Sequence, residues 1–443
     1  MARRNRRRQL PQDPVTVTIE SLSHDGRGIA RIEGKTIFID GALTGETVQF
    51  LYTKKHSKFD EGKTISVANP ADDRVEAKCQ HFGLCGGCSL MHMSPEAQLT
   101  LKQNTLMEQM SHFGKVVPQE WLAPLTGPLW GYRRKARLGV KHVPKKERVL
   151  VGFREKGTPY LALLEQCEVL DPRVGSRLAD LGEMIGTLAA YNRIAQIEVA
   201  MDDEHVALVF RNLDALSDAD QQILIRFGQD NNFLIYLQSG GPDTVTAIWP
   251  LAPQLSYSPE PGLTLNFEPN DFTQVNAGIN QKMIQKAMGL LDISAQDRIL
   301  DLFCGLGNFS LPMAKRANEV VGVEGDAALV RHAQSNAALN KLDNAVFEQA
   351  DLTKTTLKEY PWAKAGFNKI LLDPPRSGAF EVLPQLAELG AERIVYVSCN
   401  PATLARDAGE LVNELGYTLL SAGIMDMFPH TSHVESIAVF VKA

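Results

Sequence analysis

From residue 15 to residue 70 apolar and polar positions alternate in short bursts: VTVTIESL, GIARIEG, KTIFIDG, ETVQFLYTKK and GKTISVANP. A period of two rich in β-branched residues is the pattern of half-buried strands, and HDGRG, EGK, DGALTGE and EGK between them are turn signals. Five such strands in so little chain predict a small closed or partly closed β-barrel of the oligonucleotide-binding kind. After a cysteine-bearing stretch the period changes. SPEAQLTLKQNTLMEQMSHFG reads as an amphipathic helix, with Ser94 as cap, Pro95 in the first turn and Gly114 as stop. Residues 131–250 read as mixed strands and helices, and the Pro- and Ser-rich LAPQLSYSPEPG (251–262) as a linker. From about 290, short apolar runs (RILDLF, EVVGVE, AVFEQAD, KILLD, RIVYVS) alternate with helical patterns such as AALVRHAQSNAALNKL and PATLARDAGELVNELG. Buried strands alternating with helices predict a doubly wound, Rossmann-like α/β sheet with helices on both faces. YTLLSAGIMDMF and SIAVFV, with no helix between them, predict an antiparallel pair at its end. The expected division is a barrel over 12–72, a mixed α+β central domain over 73–262 and an α/β domain over 263–443.

A length of 443 residues suits about three domains, and 44% apolar with 22% charged residues is ordinary globular composition. That excludes wholesale disorder, a collagen-like repeat and a disulfide-dense mini-scaffold. No apolar run approaches the ~18 residues needed to cross a bilayer. The start, MARRNRRRQLPQDP, is basic without an apolar stretch behind it, so neither a membrane span nor a secretory signal is expected. Six cysteines are too few for a disulfide framework. A reduced, cytoplasmic setting is expected, where clustered cysteines mean metal or catalysis more often than bridges. The net charge of -6 hides a polarity: residues 1–70 hold 12 Lys/Arg against 8 Asp/Glu, and residues 131–157 hold 10 against 2. An acidic chain that keeps two basic segments, one with Tyr132 and Phe153 interleaved, points to a polyanion such as nucleic acid.

Five constellations carry chemistry. In DLFCGLGNFS (301–310) a strand runs through a glycine turn into a helix, where Gly305 and Gly307 let backbone approach a ligand. Asp301 before the turn, Glu324 after the next strand and Asp351 after the third place acidic groups at three successive carboxyl ends. That suits a sulfonium–adenosine ligand better than a pyrophosphate, whose third fingerprint glycine is replaced here by Ser310. In LLDPPRSG (371–378) two prolines make a rigid loop holding Asp373, with Arg376 where amino-group methylases of bases carry an aromatic residue. In VYVSCNP (395–401) Cys399 sits at the carboxyl end of strand five, and the helix beginning near Pro401 should lower its thiol pKa. Cys304, by contrast, reads as a small buried hydrophobe. HTSHVES (430–436) puts Glu435 in the turn joining the last two strands. Together these select methylation at C5 of uracil. That carbon is too poor a nucleophile unaided; a thiolate adding at C6 activates it, and a base then removes the C5 proton. The fifth constellation is CQHFGLCGGCSL (79–90) followed by Cys167. Four thiolates there suit tetrahedral zinc or a [4Fe–4S] cluster, and His81 and His92 keep a mixed Cys/His zinc site open.

The order SHDGRGIARIEGKTIFIDGALTGE resembles the TRAM domain, an RNA-binding barrel appended to RNA-modifying enzymes, and DLFCGLGNFS resembles S-adenosylmethionine-dependent methyltransferases. With YRRKARLGV, FTQVN, DPPRSG, SCNP and HTSHVES, nearly the whole chain resembles the RNA uracil-C5 methyltransferase family, most of all its iron–sulfur-containing branch acting on 23S ribosomal RNA. The resemblance implies Cys79, Cys85, Cys88 and Cys167 as ligands of a [4Fe–4S] cluster. It implies Gln274, Phe303, Asn308, Glu324, Asp351 and Asp373 around S-adenosylmethionine, Cys399 as nucleophile and Glu435 as proton acceptor. A monomer acting on 23S ribosomal RNA is the expected state. Three other classes compete. A tRNA uracil-C5 methyltransferase would differ only in its RNA. A radical methylthiotransferase would need C-x3-C-x2-C rather than the C-x5-C-x2-C found here. A non-catalytic RNA-binding protein would leave Cys399 and Glu435 without purpose.

Overall fold

The computed structural model describes residues 10–352 and 356–443; the arginine-rich start, residues 1–9, lies outside the described residues. The chain gathers into two compact units, residues 1–105 with 428–433, and residues 106–427 with 434–443.

In the first unit β1 (Val15–Thr18), β2 (Ser21–Leu22), β3 (Gly28–Ile32), β4 (Lys35–Asp40), β5 (Thr47–Lys55) and β6 (Phe59–Asn69) form one sheet in the order β1-β5-β6-β4-β3-β2. The alternation seen in the sequence turns Ile37, Ile39, Val48 and Phe50 into a core with Ile19 and Ala30. The expected strand VTVTIESL is split, because the Ile19 N–H donates to the Glu46 carbonyl (2.9 Å) and its carbonyl accepts from Gly45 (2.9 Å). The chain beyond residue 72 stays with the barrel for two reasons. Gly26, at φ 80°, leaves room for the Leu90 side chain, which stands where a Cβ would point. Arg74 folds back onto Glu46: its Nε donates to Oε1 at 2.5 Å and its Nη2 to Oε2 at 2.7 Å. Glu46 is 0% exposed and also accepts the N–H groups of Leu43 (2.8 Å) and Ala71 (3.2 Å). Burial alone would raise its pKa, but Arg74 and the two N–H groups together hold it below the ordinary glutamate value. Residues 428–433 complete the unit, with the N–H groups of Ser89 and Leu90 both donating to the His430 carbonyl at 2.9 Å. α1 (Pro95–Gln109) begins where expected, capped by Ser94 Oγ, which accepts the Ala97 N–H at 3.2 Å.

In the second unit a π-helical turn, Met110–Gly114, leads to β7 (Glu120–Trp121). The central layer contains β8 (Lys135–Val143), β9 (Arg148–Gly152), α2 (Pro172–Gly175), α3 (Leu178–Gly186), β10 (Ile194–Met201), β11 (Val206–Asn212), α4 (Asp218–Asn231), β12 (Phe233–Gln238) and β13 (Val245–Trp249). Its sheet has the order β13-β12-β11-β10-β8-β9, with β11 and β12 parallel across α4. The stretch 251–262 is not the linker its composition suggests. β14 (Leu255–Tyr257) pairs with β15 (Leu265–Phe267), and Leu255, Leu263, Leu265 and Phe267 share one core with Val209, Leu306 and Phe347. Its prolines and serines mark the turn of a buried hairpin that fuses central layer and α/β layer into one body.

The last layer follows the alternation: α5 (Ala277–Leu291), β16 (Arg298–Leu302), α6 (Ser310–Ala314), β17 (Glu319–Glu324), α7 (Ala327–Leu339), β18 (Ala345–Gln349), β19 (Lys369–Leu372), α8 (Leu383–Glu388), β20 (Arg393–Ser398), α9 (Pro401–Asn413), β21 (Tyr417–Met425) and β22 (Glu435–Lys442). The sheet order is β18-β17-β16-β19-β20-β22-β21-β7. Strands β16 to β20 are parallel, and β21 and β22 are the expected antiparallel pair. Sequence did not reveal β7, drawn from upstream of the central layer to cover the β21 edge. Among the described residues no helix is long and apolar enough to cross a membrane.

Glu46→Gln should lower stability to urea by about 3 kcal/mol, as removal of one partner of a buried ion pair does. Because the folded state binds the ionised form, that contribution is present at neutral pH and is lost as pH falls through the depressed pKa. The gap between wild type and Glu46→Gln should therefore narrow in acid; a gap constant with pH would refute the assignment.

Candidate active site

The α/β sheet reverses direction between β16 and β19: the chain winds outward through β17 and β18, then returns through β19 and β20. At such a switch point the carboxyl ends open a crevice. Phe303 follows β16, Glu324 ends β17, Asp373 follows β19 and Cys399 follows β20, so all four lie on one rim. The turn after β16 is tightly specified. Phe303 has φ 65°, in the left-handed region that non-glycine residues rarely adopt, and Gly305 and Gly307 have φ 54° and 92°. A Cβ built on Gly305 meets nothing within 4 Å, so this turn faces open space on its concave side. Glu324 fastens the turn: one carboxylate oxygen accepts the Gly305 N–H (3.1 Å), the other those of Gly325 (2.8 Å) and Asp326 (3.2 Å).

Beneath this rim lies Asp301, 0% exposed. Its Oδ2 accepts the Ser310 hydroxyl at 2.5 Å, whereas Oδ1 has no partner among the described residues. Burial, partly offset by Ser310 and reinforced by the charges of Asp373 and Glu324, pushes its pKa up to about 8. Asp373 is pushed up by burial to about 7. A rim of carboxyl groups with an orphaned oxygen of buried Asp301 beneath it is suited to receive positive charge. A sulfonium ligand fits it.

The relation of Cys399 to Glu435, expected as nucleophile and proton acceptor, is set by strand register. β20 and β22 are antiparallel with Ser398 opposite Ser436, so the next step along each strand brings Cys399 opposite Glu435. Glu435 thus opens β22 itself, one step beyond the turn in which it was expected. Ser436 Oγ donates to the Ser398 carbonyl (3.2 Å) and locks that register. Glu435 is 8% exposed and Cys399 half-buried. The thiol is not activated as expected from the helix that starts at Pro401. Burial first, then the carboxylates of Glu435 and Asp373, push its pKa up to about 11, with Arg376 pulling the other way. The helix N-terminus is overridden because two carboxylates and the apolar surroundings act on the same sulfur.

Other expected residues are placed less directly. Asn308 is held by Asn280, through two amide hydrogen bonds (2.9 and 3.0 Å), and by the Tyr257 hydroxyl (2.9 Å). Gln274 stands half-buried in the loop before α5, whose course is fixed by Lys135, donating to the carbonyls of Pro269 (2.6 Å) and Asp271 (2.5 Å). Asp351 is exposed just beyond β18. Two residues were missed. Arg376 supplies a cation that acts on the Cys399 sulfur. Asp407, 0% exposed, accepts the Ala379 N–H (2.8 Å) and the Tyr396 hydroxyl (2.6 Å), pinning the loop that carries Asp373. Its position between Leu404 and Leu411 on the apolar stripe of α9 was the available signal.

Cys79, Cys85 and Cys88 occupy a run of turns in the first unit, where the Gly87 N–H points at Cys85 Sγ (3.4 Å). Cys167 belongs to the second unit, its N–H donating to the Gly175 carbonyl at 2.8 Å. Among the described residues no group of three or more His, Cys, Asp or Glu is arranged to hold a metal ion.

Residues 262–443 match the family model of tRNA (uracil-5-)-methyltransferases, and residues 13–65 that of the TRAM domain. The chain is 57% identical, over 99% of both chains, to the 23S rRNA (uracil(1939)-C(5))-methyltransferase RlmD of Nitrosococcus oceani. It is 56% identical to the protein of the same description from Alkalilimnicola ehrlichii, over 99% of this chain and 98% of that one. Among solved structures, the Pyrococcus abyssi tRNA (uracil-54, C5)-methyltransferase in complex with S-adenosyl-L-homocysteine has a TM-score of 0.74. It covers 96% of this chain and 100% of its own at 23% identity, a likeness of fold.

Charge balance at the sulfur can be measured. Glu435→Gln removes a negative charge facing Cys399 and should lower the pH midpoint of its alkylation by iodoacetamide by about one pH unit, while Arg376→Gln should raise it. Identical midpoints in all three proteins would exclude the proposed proximity.

Proposed function

The chain belongs to the RNA uracil-C5 methyltransferase family, and we propose that it methylates C5 of a uridine in 23S ribosomal RNA, at the position named for its relatives, 1939. The observation that carries this is the juxtaposition of Cys399 with Glu435 at the rim of a crevice lined by carboxylates. Methylation of an amine or oxygen would need no such pair.

S-adenosylmethionine, when bound, supplies an electrophilic methyl group; Gln274, Phe303, Asn308, Glu324, Asp351 and Asp373 are the residues that would hold it. Extruded from its stack, the uracil meets Cys399, whose sulfur adds to C6 as the thiol proton leaves. Asp373, with its pKa near 7, is well matched to take that proton, which leaves Glu435 for the next transfer. The C5 carbon, now enolate-like, would take the methyl group as the sulfonium S–CH3 bond breaks, leaving neutral S-adenosylhomocysteine. Glu435 then removes the C5 proton, the C6–S bond breaks, and the ring is restored with Cys399 released as thiolate. A raised thiol pKa suits this cycle: the sulfur rests as thiol and gives up its proton as it adds to C6.

The iron–sulfur reading rests on donor chemistry. Three thiols within a loop of turns, an N–H directed at one sulfur and a fourth cysteine elsewhere suit a [4Fe–4S] cluster bound by Cys79, Cys85, Cys88 and Cys167 better than zinc. Its role would be structural, drawing together segments far apart in sequence. A monomer working in the cytoplasm completes the proposal.

Cys399→Ala should abolish methylation. Glu435→Gln should still add and methylate but lose ~10²–10⁴-fold in turnover, accumulating a protein–RNA adduct that survives denaturation. Wild type should stall likewise on RNA carrying 5-fluorouridine, since fluorine cannot leave as a proton. Normal turnover by Glu435→Gln, or no adduct on fluorinated RNA, would sink the mechanism.

Protein purified without oxygen should be brown and contain about four iron and four sulfide per chain. Cys167→Ser should lower both iron content and stability more than Cys304→Ser. Stoichiometric zinc without iron would reject the cluster.

A further inference from the structure

The basic segment 131–157 divides in two when its partners are traced. Most of the first half is engaged internally, while Arg137, though paired, keeps a 70% exposed side chain on the wall of a groove. Arg134 pairs with Asp203 (2.6 Å), Lys135 is committed to two backbone carbonyls, and Arg137 pairs with Glu198 (2.8 Å). Arg133 donates to the Lys135 carbonyl (3.0 Å) and lies over the Phe153 ring (5.9 Å). Burial lowers the Lys135 ammonium pKa to about 8, as befits a structural amine rather than a solvated surface cation.

The second half is different. The β8–β9 hairpin and the loop running from Phe153 to Leu161 enclose a groove of about 960 Å³. Lys141, Lys146 and Arg154 line it; all three are exposed, and among the described residues none of them makes an ion pair or side-chain hydrogen bond. Glu155, the acidic residue on the groove wall, accepts the Thr158 hydroxyl (3.1 Å). Tyr160 stands on its wall with 70% of its surface exposed, unusual for a large aromatic side chain that no partner covers. Exposed lysine and arginine beside an exposed ring, on a chain whose net charge is negative, is the chemistry that binds a single-stranded nucleic acid: cations for phosphates, a flat face for a base.

Its place on the fold gives it a purpose. Lys135, at the start of β8, anchors the loop that precedes Gln274, and the groove opens along the rest of that strand, from Arg137 to Val143. We propose that this groove is a second RNA-binding site, holding a single-stranded stretch of the substrate that flanks the uridine being methylated. The inference rests on the RNA-methylating reading and adds to it a determinant of which RNA is chosen.

The test uses the full-length protein and two transcripts, a short stem-loop bearing only the target uridine and a longer 23S ribosomal RNA fragment around it. Combining Lys141→Ala, Lys146→Ala and Arg154→Ala should raise KM for the long fragment and leave kcat unchanged. The slope of log Kd against log salt should flatten by about two, at ~0.7 for each phosphate no longer neutralised. Binding of the short stem-loop should not change. Tyr160→Ala should weaken the long fragment by about tenfold and Tyr160→Phe should restore it, because stacking needs the ring and not the hydroxyl. Unchanged S-adenosylmethionine affinity establishes that each variant is folded. Equal behaviour of wild type and triple variant on the long fragment, or equal weakening of both RNAs, would overturn the groove. Wild type that methylates neither RNA yet binds the long one through these residues would overturn the functional reading and leave the groove standing.

Discussion

The pairing of β20 with β22 is the constraint on which the site depends. These strands lie on opposite sides of a helix and a further strand in sequence, and only their antiparallel register sets Cys399 across from Glu435. A slip of one residue would turn both side chains to the other face of the sheet. Register is secured from both directions: Ser436 reaches back to the Ser398 carbonyl, and β21 pairs along the whole far edge of β22. The buried run from Ile437 to Phe440 penalises any alternative, since a slip would carry apolar residues out of their packing on both faces. The eighth strand, β7, caps β21 and protects this arrangement from the exposed edge.

Around that pair the protein gathers carboxyl groups that, among the described residues, it matches with no buried cation, and the ionisation of Asp301 and Asp373 is held back. Asp301, Glu324 and Asp373 share one crevice, and two of them have pKa values raised to about 8 and about 7. Elsewhere in the molecule buried acids are matched. Glu46 has Arg74, Asp171 has Arg173, and Asp297 has Lys369, each with its carboxyl held below the ordinary range. The contrast matters because an unmatched buried carboxylate costs folding free energy and persists where a ligand's charge completes it. The same carboxyl groups, with burial, disfavour a thiolate at Cys399. One arrangement thus both suits a cation and opposes ionisation of that thiol.

Much of this was legible in the sequence. Strand and helix alternation after residue 290, the antiparallel close and the barrel's short strands all follow from local periodicity, because each element's burial pattern is written in its own residues. The motifs at Cys399 and Glu435 were legible because their chemistry is unusual. What escaped has a common physical origin: it depends on residues far apart in the chain. The hairpin at 255–267 looked like a linker because turn residues dominate it, while its few apolar positions find partners in Val209 and Phe347. β7 is two residues long and acquires meaning only against β21. The shift at Cys399 was expected downward from its adjacent helix, and comes out upward because Glu435 and Asp373 arrive from other strands.

Charge runs show the same limit from the other side. Residues 131–157 read as one basic surface, yet strand geometry sends Arg134 and Arg137 to carboxylates on neighbouring segments and Lys135 to the loop before α5. Arg134 and Lys135 are consecutive on a structure whose side chains alternate faces, so a continuous run of cations cannot serve one purpose. Past Lys141 the strand leaves the body of the sheet and the partners run out. Among the described residues Lys141, Lys146 and Arg154 make no ion pair, and Tyr160 stands beside them on the groove wall. Availability for a phosphate backbone is therefore a property of position in the fold, which net charge along the sequence does not reveal.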